Sequence, residues 1–189
     1  MKGAALAIGA FSAALLRAAI ATAITLTVVE PTMNGIGGDA FVIVSDDHGI
    51  HGFNGSGRSP AAWTPERFAG HDSMPEHGWD TVTVPGAVDT WAQLSDRFGQ
   101  LPFEKLFDSA INYAAHGFAV SPVVAAGWDR AAEEFGYLDG FRTIFMPNGR
   151  APTAGEAFQS EIMANTLGEI ADSRGESFYR GRLASRIVA

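Results

Sequence analysis

The chain contains no cysteine. That one absence excludes a disulfide scaffold, a thiolate zinc site and a cysteine nucleophile. Positive charge is scarce as well: 13 Lys plus Arg stand against 21 Asp plus Glu, a formal net charge of −8 over 189 residues. Phosphate backbones need clustered cations, so nucleic acid is not an expected partner. Charged residues make up only 18% of the chain and hydrophobic ones 47%, the reverse of the balance that keeps a chain disordered. A long hydrophobic run is missing too. Residues 4–16 are apolar or small behind Lys2, but the run is too short for a bilayer and Arg17 interrupts it. No membrane partner is expected. The same run has the length of a secretory leader, so two readings stand: a cleaved signal, or alanine-rich core helix. The second is preferred, which makes the cytoplasm the expected compartment and the periplasm or secretion the alternative.

Charge is unevenly spread. Residues 1–44 carry only Lys2, Arg17, Glu30 and Asp39, which cancel, so the net charge lies in residues 45–189. The pattern along the chain reads as one α/β unit, residues 1–189, without repeats or a dividing linker. Glu30-Pro31 should end the first helical stretch, because a residue before proline is pushed out of the α region. The glycine-rich segment 33–39 then leads into Ala40-Phe41-Val42-Ile43-Val44, which reads as a buried strand. Asp46-Asp47-His48-Gly49 has hairpin-turn chemistry, with residues 50–54 as the returning strand. A polar loop follows from 55 to about 80, and Thr81-Val82-Thr83-Val84 reads as a short strand stopped by Pro85-Gly86. Val88, Trp91, Leu94 and Phe98 recur at helical spacing up to Gly99. Pro102 opens a second helix carrying Phe103, Leu106, Phe107, Ala110, Ile111 and Ala114, closed by Gly117. Residues 121–136 could form another, followed by a loop. Thr153-Ala154-Gly155-Glu156 has the capping-box pattern and should open a last helix with Phe158, Ile162, Met163, Leu167 and Ile170.

Few residues carry obvious chemistry. The glycines of 35–39 are not followed by Gly-Lys-Ser/Thr, and they lead into a strand where a phosphate cradle would open a helix. A tight turn explains them better. His48 and His51, with Asp46 and Asp47, could in principle hold a cation, but no His-x-x-x-His pair supports a metal site, and none is expected. His116 sits where a cation would meet a helix C-terminus. Gly55-Ser56-Gly57 falls short of the Gly-x-Ser-x-Gly elbow. The informative loop is Asn54-Gly55-Ser56-Gly57-Arg58-Ser59-Pro60. It follows a strand, is rich in donors, and sets an arginine between small residues that cannot shield it. A guanidinium so placed can grip a carboxylate with two parallel hydrogen bonds. The alternative, a surface arginine that only caps the loop, is equally open at this point.

Three groups of motifs together resemble the γ-glutamyltranspeptidase family. Thr27-Val28-Val29-Glu30-Pro31 with Asn34-Gly35-Ile36-Gly37-Gly38 and Phe41 is similar to its VVEP and glycine-rich run. Val84-Pro85-Gly86-Ala87-Val88 and Arg97-Phe98-Gly99-Gln100-Leu101-Pro102 resemble its VPG segment and the arginine-glycine-leucine-proline stretch after it. Gly117-Phe118-Ala119-Val120-Ser121-Pro122 and Phe178-Tyr179-Arg180-Gly181 resemble two later motifs in order and spacing, and the likeness spans residues 19–189. The resemblance implies an N-terminal nucleophile hydrolase, an αββα sandwich of which this chain is the early part of the large subunit. It implies an autoprocessed precursor whose new N-terminal threonine attacks a small amide substrate and passes the acyl group to water or an amine, without a cofactor. That threonine lies in a Thr-Thr-His-type motif. No Thr-Thr or Thr-x-His pair occurs here, so no catalytic residue is expected in this chain, and the partner is the small-subunit polypeptide.

Two departures qualify the resemblance. The family's carboxylate-binding arginine lies in an Asp-Gly-Arg-Glu-Thr-Ala-Pro loop. Aligned on Pro60 without a gap, Ser56 takes its place; with a two-residue deletion, Gly57-Arg58 matches Gly-Arg. Either way the Glu-Thr step is gone, which leaves an acylase or amidohydrolase for another small carboxylate-bearing amide as the alternative to γ-glutamyl chemistry. Substrate contact is expected from Arg58, Ser56 and Asn54. The family's Gly-Gly-Asn-Ala-Val-Asp-Ala stretch is also missing between residues 16 and 19, which weakens the leader reading and leaves a truncated relic as a further alternative.

Overall fold

The computed structural model describes residues 6–8, 13–99 and 101–189. Residues 4–5 and 9–12 of the alanine-rich run, and Gln100, lie outside them. Helix α1 (Ala13–Val29) presents Leu16, Ile20, Ile24 and Val28, each four residues after the last, as one fully buried stripe. Its two inner hydroxyls do not go unsatisfied: Thr25 donates to the Ala21 carbonyl and Thr27 to that of Ile24, both at 2.7 Å. The helix stops at Glu30, as the following proline requires.

Three strands form the main sheet in the order β1 (Leu6–Ile8), β2 (Ala40–Asp46), β3 (Gly49–Gly55). β1 runs parallel to β2, and β2 pairs antiparallel with β3 from Ala40↔Gly55 to Asp46↔Gly49. The expected hairpin is therefore present, with Gly49 at φ +127° and the His48 N–H on Asp46 Oδ1 at 2.8 Å. Strand alternation divides the side chains between two faces. Val42, Val44 and Phe53 face a layer of helices. Phe41, Ile43 and Ile50 lie on the other face and are 44%, 57% and 77% exposed.

The helical layer consists of α1, α2 (Ala87–Phe98), α3 (Asp108–His116) and α6 (Glu161–Asp172). Val88, Trp91, Phe103, Phe107 and Ile170 fill the core between them and the sheet. α4 (Pro122–Phe135) and α5 (Asp139–Phe145) pack around a second centre, in which Trp128 meets Phe158 at a ring distance of 4.6 Å. Ser121 caps α4 by accepting the Val124 N–H, and Pro122 occupies its first turn. Two short helices, α7 (Glu176–Arg180) and α8 (Arg182–Ile187), end the chain. β4 (Phe118–Ala119) and β5 (Ala157–Phe158) form a small separate sheet.

Five expectations need correction. Residues 6–8, read as part of an alanine-rich core helix, form strand β1 because they pair with Val42–Val44. The strand at 40–44, read as buried, is covered on one face alone and exposes Phe41 and Ile43 on the other. Residues 81–84 do not form a strand. The Thr81 and Val82 N–H groups turn back to the Gly78 and Trp79 carbonyls at 3.2 Å, the Val84 N–H reaches that of Arg58 at 2.9 Å, and Pro85 has no N–H with which to continue a ladder. The Thr153/Glu156 pair does not open a helix either. Glu156 Oε2 accepts both the Thr153 N–H at 2.9 Å and its hydroxyl at 3.0 Å, but Arg150 takes the same carboxylate and closes a loop. The last long helix starts instead at Glu161, where Ser160 caps the Met163 N–H. Finally, the loop after α4 contains α5, formed because Phe141 and Phe145 pack on the aromatic cluster and the Phe145 carbonyl accepts the Trp128 indole N–H at 2.9 Å.

Candidate functional site

The loop that carries Asn54, Ser56 and Arg58 leaves β3 at the edge of the open sheet face. Asn54 is the cross-strand partner of Phe41 on that face. Its side-chain Oδ1 accepts the Ser56 N–H at 3.0 Å, an Asx turn that bends the chain directly after the strand. The Ser56 carbonyl accepts the Thr83 hydroxyl at 3.0 Å, and the Arg58 carbonyl accepts the Val84 N–H at 2.9 Å. These bonds run the loop alongside residues 83–86. The approach is very close. A Cβ on Gly57, at φ +73°, would sit 1.7 Å from the Val84 carbonyl oxygen, and one on Gly86 would sit 2.1 Å from that of Gly55. Glycine at both positions is a steric requirement.

The structure thus brings all three expected residues into one loop, and it divides their work. Asn54 spends its carbonyl oxygen on the turn. The Ser56 backbone serves the junction, while its hydroxyl accepts and donates nothing among the described residues. Arg58 is exposed, and its guanidinium has no hydrogen bond or ion pair among the described residues. Several other arginines are committed, Arg67 to Asp80, Arg150 to Glu156, Arg174 to Asp96 and Arg182 to Glu169, whereas Arg130 on α4 is, like Arg58, without a hydrogen bond or ion pair among the described residues. The Arg58 backbone is held by close contacts, and a guanidinium without a protein partner has its donors available for two parallel hydrogen bonds.

Sequence reasoning did not foresee Tyr179. Its hydroxyl donates to the Pro85 carbonyl at 2.8 Å and accepts the Asp89 N–H at 2.9 Å. Burial pushes its ionisation up to about 12, so the group is a neutral phenol at ordinary pH. The glycine-rich turn meets the same place: the Ala87 N–H donates to the Gly38 carbonyl at 3.1 Å. Residues 35–38, 54–58, 84–88 and 178–181 thus converge on the start of α2.

At the opposite end of the hairpin, the Arg97 guanidinium lies 2.8 Å from His51 Nδ1, and His51 Nε2 lies 3.0 Å from Asp46 Oδ1. Arginine can only donate, so Nδ1 accepts and Nε2–H donates: a neutral imidazole between a cation and a carboxylate. This replaces the cation site considered for His48, His51, Asp46 and Asp47. Among the described residues no three His, Asp or Glu side chains gather as a metal site would require. Two adjoining open grooves of about 480 Å³ each run beside α1, sharing Leu26, Val29 and Tyr113. Neither includes the Arg58 loop. No helix among the described residues is long and apolar enough to cross a membrane.

A family model described as gamma-glutamyltranspeptidase matches residues 14–189. A glutathione hydrolase-like proenzyme of Bacillus subtilis is 35% identical over 175 residues, covering 91% of this chain and 33% of that protein. An oxamate amidohydrolase proenzyme of Klebsiella pneumoniae is 34% identical over 180 residues, covering 92% and 34%. Among solved structures, a cephalosporin acylase from Bacillus halodurans superposes with a TM-score of 0.85 at 44% identity, covering 91% of this chain and 34% of the other. The gamma-glutamyltranspeptidase of Helicobacter pylori gives 0.84 at 26% identity, covering 91% and 51%. The chain spans about a third of the length of the curated relatives it matches.

Proposed function

The chain belongs to the gamma-glutamyltranspeptidase family, and from that premise we propose that it forms the N-terminal part of the large subunit of an amide hydrolase or acyltransferase. It supplies half of the αββα sandwich and one wall of the substrate pocket. The attacking hydroxyl, an N-terminal threonine released by autoprocessing, comes from the small-subunit polypeptide. Arg58 binds the substrate carboxylate, with Ser56 and Asn54 beside it.

The open sheet face is the observation that carries this reading. A sheet covered by helices on one side and bearing Phe41, Ile43 and Ile50 on the other leaves apolar surface whose burial would stabilise by about 1.5–3 kcal/mol per side chain. A second sheet packed there closes the sandwich. It would also set its own residues opposite the Arg58 loop at the edge of that face.

The substrate class follows from the loop. Arg58 is succeeded by Ser59-Pro60, without a carboxylate beside it to read an α-amine. An amide bearing a small carboxylate fits such a wall, and a γ-glutamyl group is one example of it. The names of the relatives agree with a range of acyl groups: glutathione hydrolase, oxamate amidohydrolase and cephalosporin acylase.

The test compares two substrates, a carboxylate-bearing amide and its neutral methyl ester, on the complete polypeptide that carries this chain. Arg58→Ala should raise KM for the carboxylate about 30- to 100-fold, the loss of a charge-assisted pair worth about 2–3 kcal/mol, and leave KM for the ester unchanged. An unaltered KM for both would reject the role.

A further inference from the structure

Helix α2 begins at a residue that cannot cap it. Gly86 stands at the N-cap, where serine, threonine, aspartate or asparagine normally accepts a first-turn N–H. Any side chain there would meet Gly55, whose carbonyl carbon lies 2.6 Å and whose oxygen lies 2.1 Å from an added Cβ. The backbone approach that fixes the Arg58 loop therefore removes the cap of the helix behind it, and acceptors must come from elsewhere. The Gly38 carbonyl takes the Ala87 N–H at 3.1 Å. The Asp89 N–H, three residues in from the cap, is taken by the Tyr179 hydroxyl at 2.9 Å, 90 residues further along the chain.

That hydroxyl has a second bond. It donates to the carbonyl of Pro85, the residue immediately before Gly86, at 2.8 Å. One oxygen thus bridges the peptide entering the helix and the first turn of the helix itself. The geometry points to Tyr179 as a positioning residue for the substrate-binding arginine, an inference that rests on the carboxylate role proposed for Arg58. Each link is short. Tyr179 fixes the Pro85 carbonyl. On one side of Pro85, the Val84 N–H holds the Arg58 carbonyl; on the other, Gly86 lies against Gly55. Without the hydroxyl, the Pro85 carbonyl loses its donor and the Asp89 N–H its acceptor, and the contacts on either side of Pro85 hold the junction less tightly. Both contacts that set the height and direction of the Arg58 backbone lie one residue from it. The neutral state of the phenol suits the task, because only the un-ionised hydroxyl donates and accepts together.

Tyr179→Phe tests this in the complete polypeptide. The ring keeps its edge contact with Phe178, at 5.1 Å between centroids, so only the hydroxyl is lost. With the same pair of substrates, KM for the carboxylate should rise about 5- to 10-fold, the scale of one lost hydrogen bond, with kcat within about twofold. KM for the neutral ester should not move. In the Arg58→Ala background the substitution should add nothing, because it acts through that arginine. An unchanged KM for the carboxylate, equal rises for both substrates, an additive effect with Arg58→Ala, or loss of cooperative unfolding would each overturn the inference. Should Arg58→Ala itself leave KM unaltered, the carboxylate reading fails, which is a separate result.

Discussion

At the Gly55 end of the β2–β3 hairpin, backbone lies directly on backbone: a Cβ on Gly86 would sit 2.1 Å from the Gly55 carbonyl oxygen, and one on Gly55 would meet the Thr90 hydroxyl at 2.0 Å. At the Asp46 end, side chains do the fastening: Arg97 to His51, His51 to Asp46, with the Arg97 guanidinium 5.1 Å from the Phe98 ring centroid. The two ends also hold their titratable groups in opposite ways. Burial keeps the Tyr179 phenol neutral up to about 12. The hydrogen bond from His51, with the His48 N–H adding to it, holds the Asp46 carboxyl below its ordinary value of 3.8. A junction of close-packed peptides tolerates almost no displacement, whereas a chain of half-exposed side chains can shift or exchange partners with water. The rigid end is the one that carries the Arg58 loop.

Substitutions should expose that difference in a fixed order of size. Gly86→Ala forces a methyl group onto the Gly55 peptide, and the helix and hairpin must separate. The expected cost is about 3 kcal/mol, a fall in Tm of roughly 6–12 °C for a chain of this size. Thermal unfolding measures it, and a Tm within a degree of wild type would remove the steric argument.

A middle-sized effect belongs to alkaline pH. The folded Tyr179 titrates above its ordinary value of 10.0, at about 12, so its contribution is complete below pH 10. Between those two values the unfolded phenol ionises while the folded one does not, and stability falls. Phenolate absorbance should resolve one of the three tyrosines ionising at about 12, and Tyr179→Phe should delete that step.

The smallest change is expected at the side-chain end. Asp46 titrates below its unfolded value, so its contribution is present above pH 3.8 and disappears as pH falls through the lower folded value. His51→Ala should return the Asp46 carboxyl toward 3.8, read by carboxyl NMR, while lowering Tm at neutral pH by no more than about 3 °C. A loss as large as that of Gly86→Ala would erase the distinction between the two ends.

Much of this architecture can be read from local pattern. The buried stripe of α1, the proline that stops it, the Asp46–Gly49 turn and the helical spacing of Val88, Trp91 and Leu94 are short-range signals, and each element lies where they point. Errors arise where a local signal meets a distant competitor. Thr153 and Glu156 have the capping-box spacing, yet Arg150 claims the carboxylate and holds Glu156 down to about 2. Val82 and Val84 favour a strand, but no partner strand among the described residues lies beside them. The loop of Arg58 was legible because a guanidinium between glycine and serine is conspicuous in sequence. Tyr179 was not, because its role depends on a glycine contact between residues 55 and 86 and on a helix start 90 residues away.

The central claim is that the open sheet face is one half of an interior. Oxidative footprinting of Phe41, Ile43 and Ile50 tests it directly, in this chain alone and in the complete polypeptide that carries it. All three side chains should be labelled readily in the first sample and protected in the second; equal labelling in both would contradict the account.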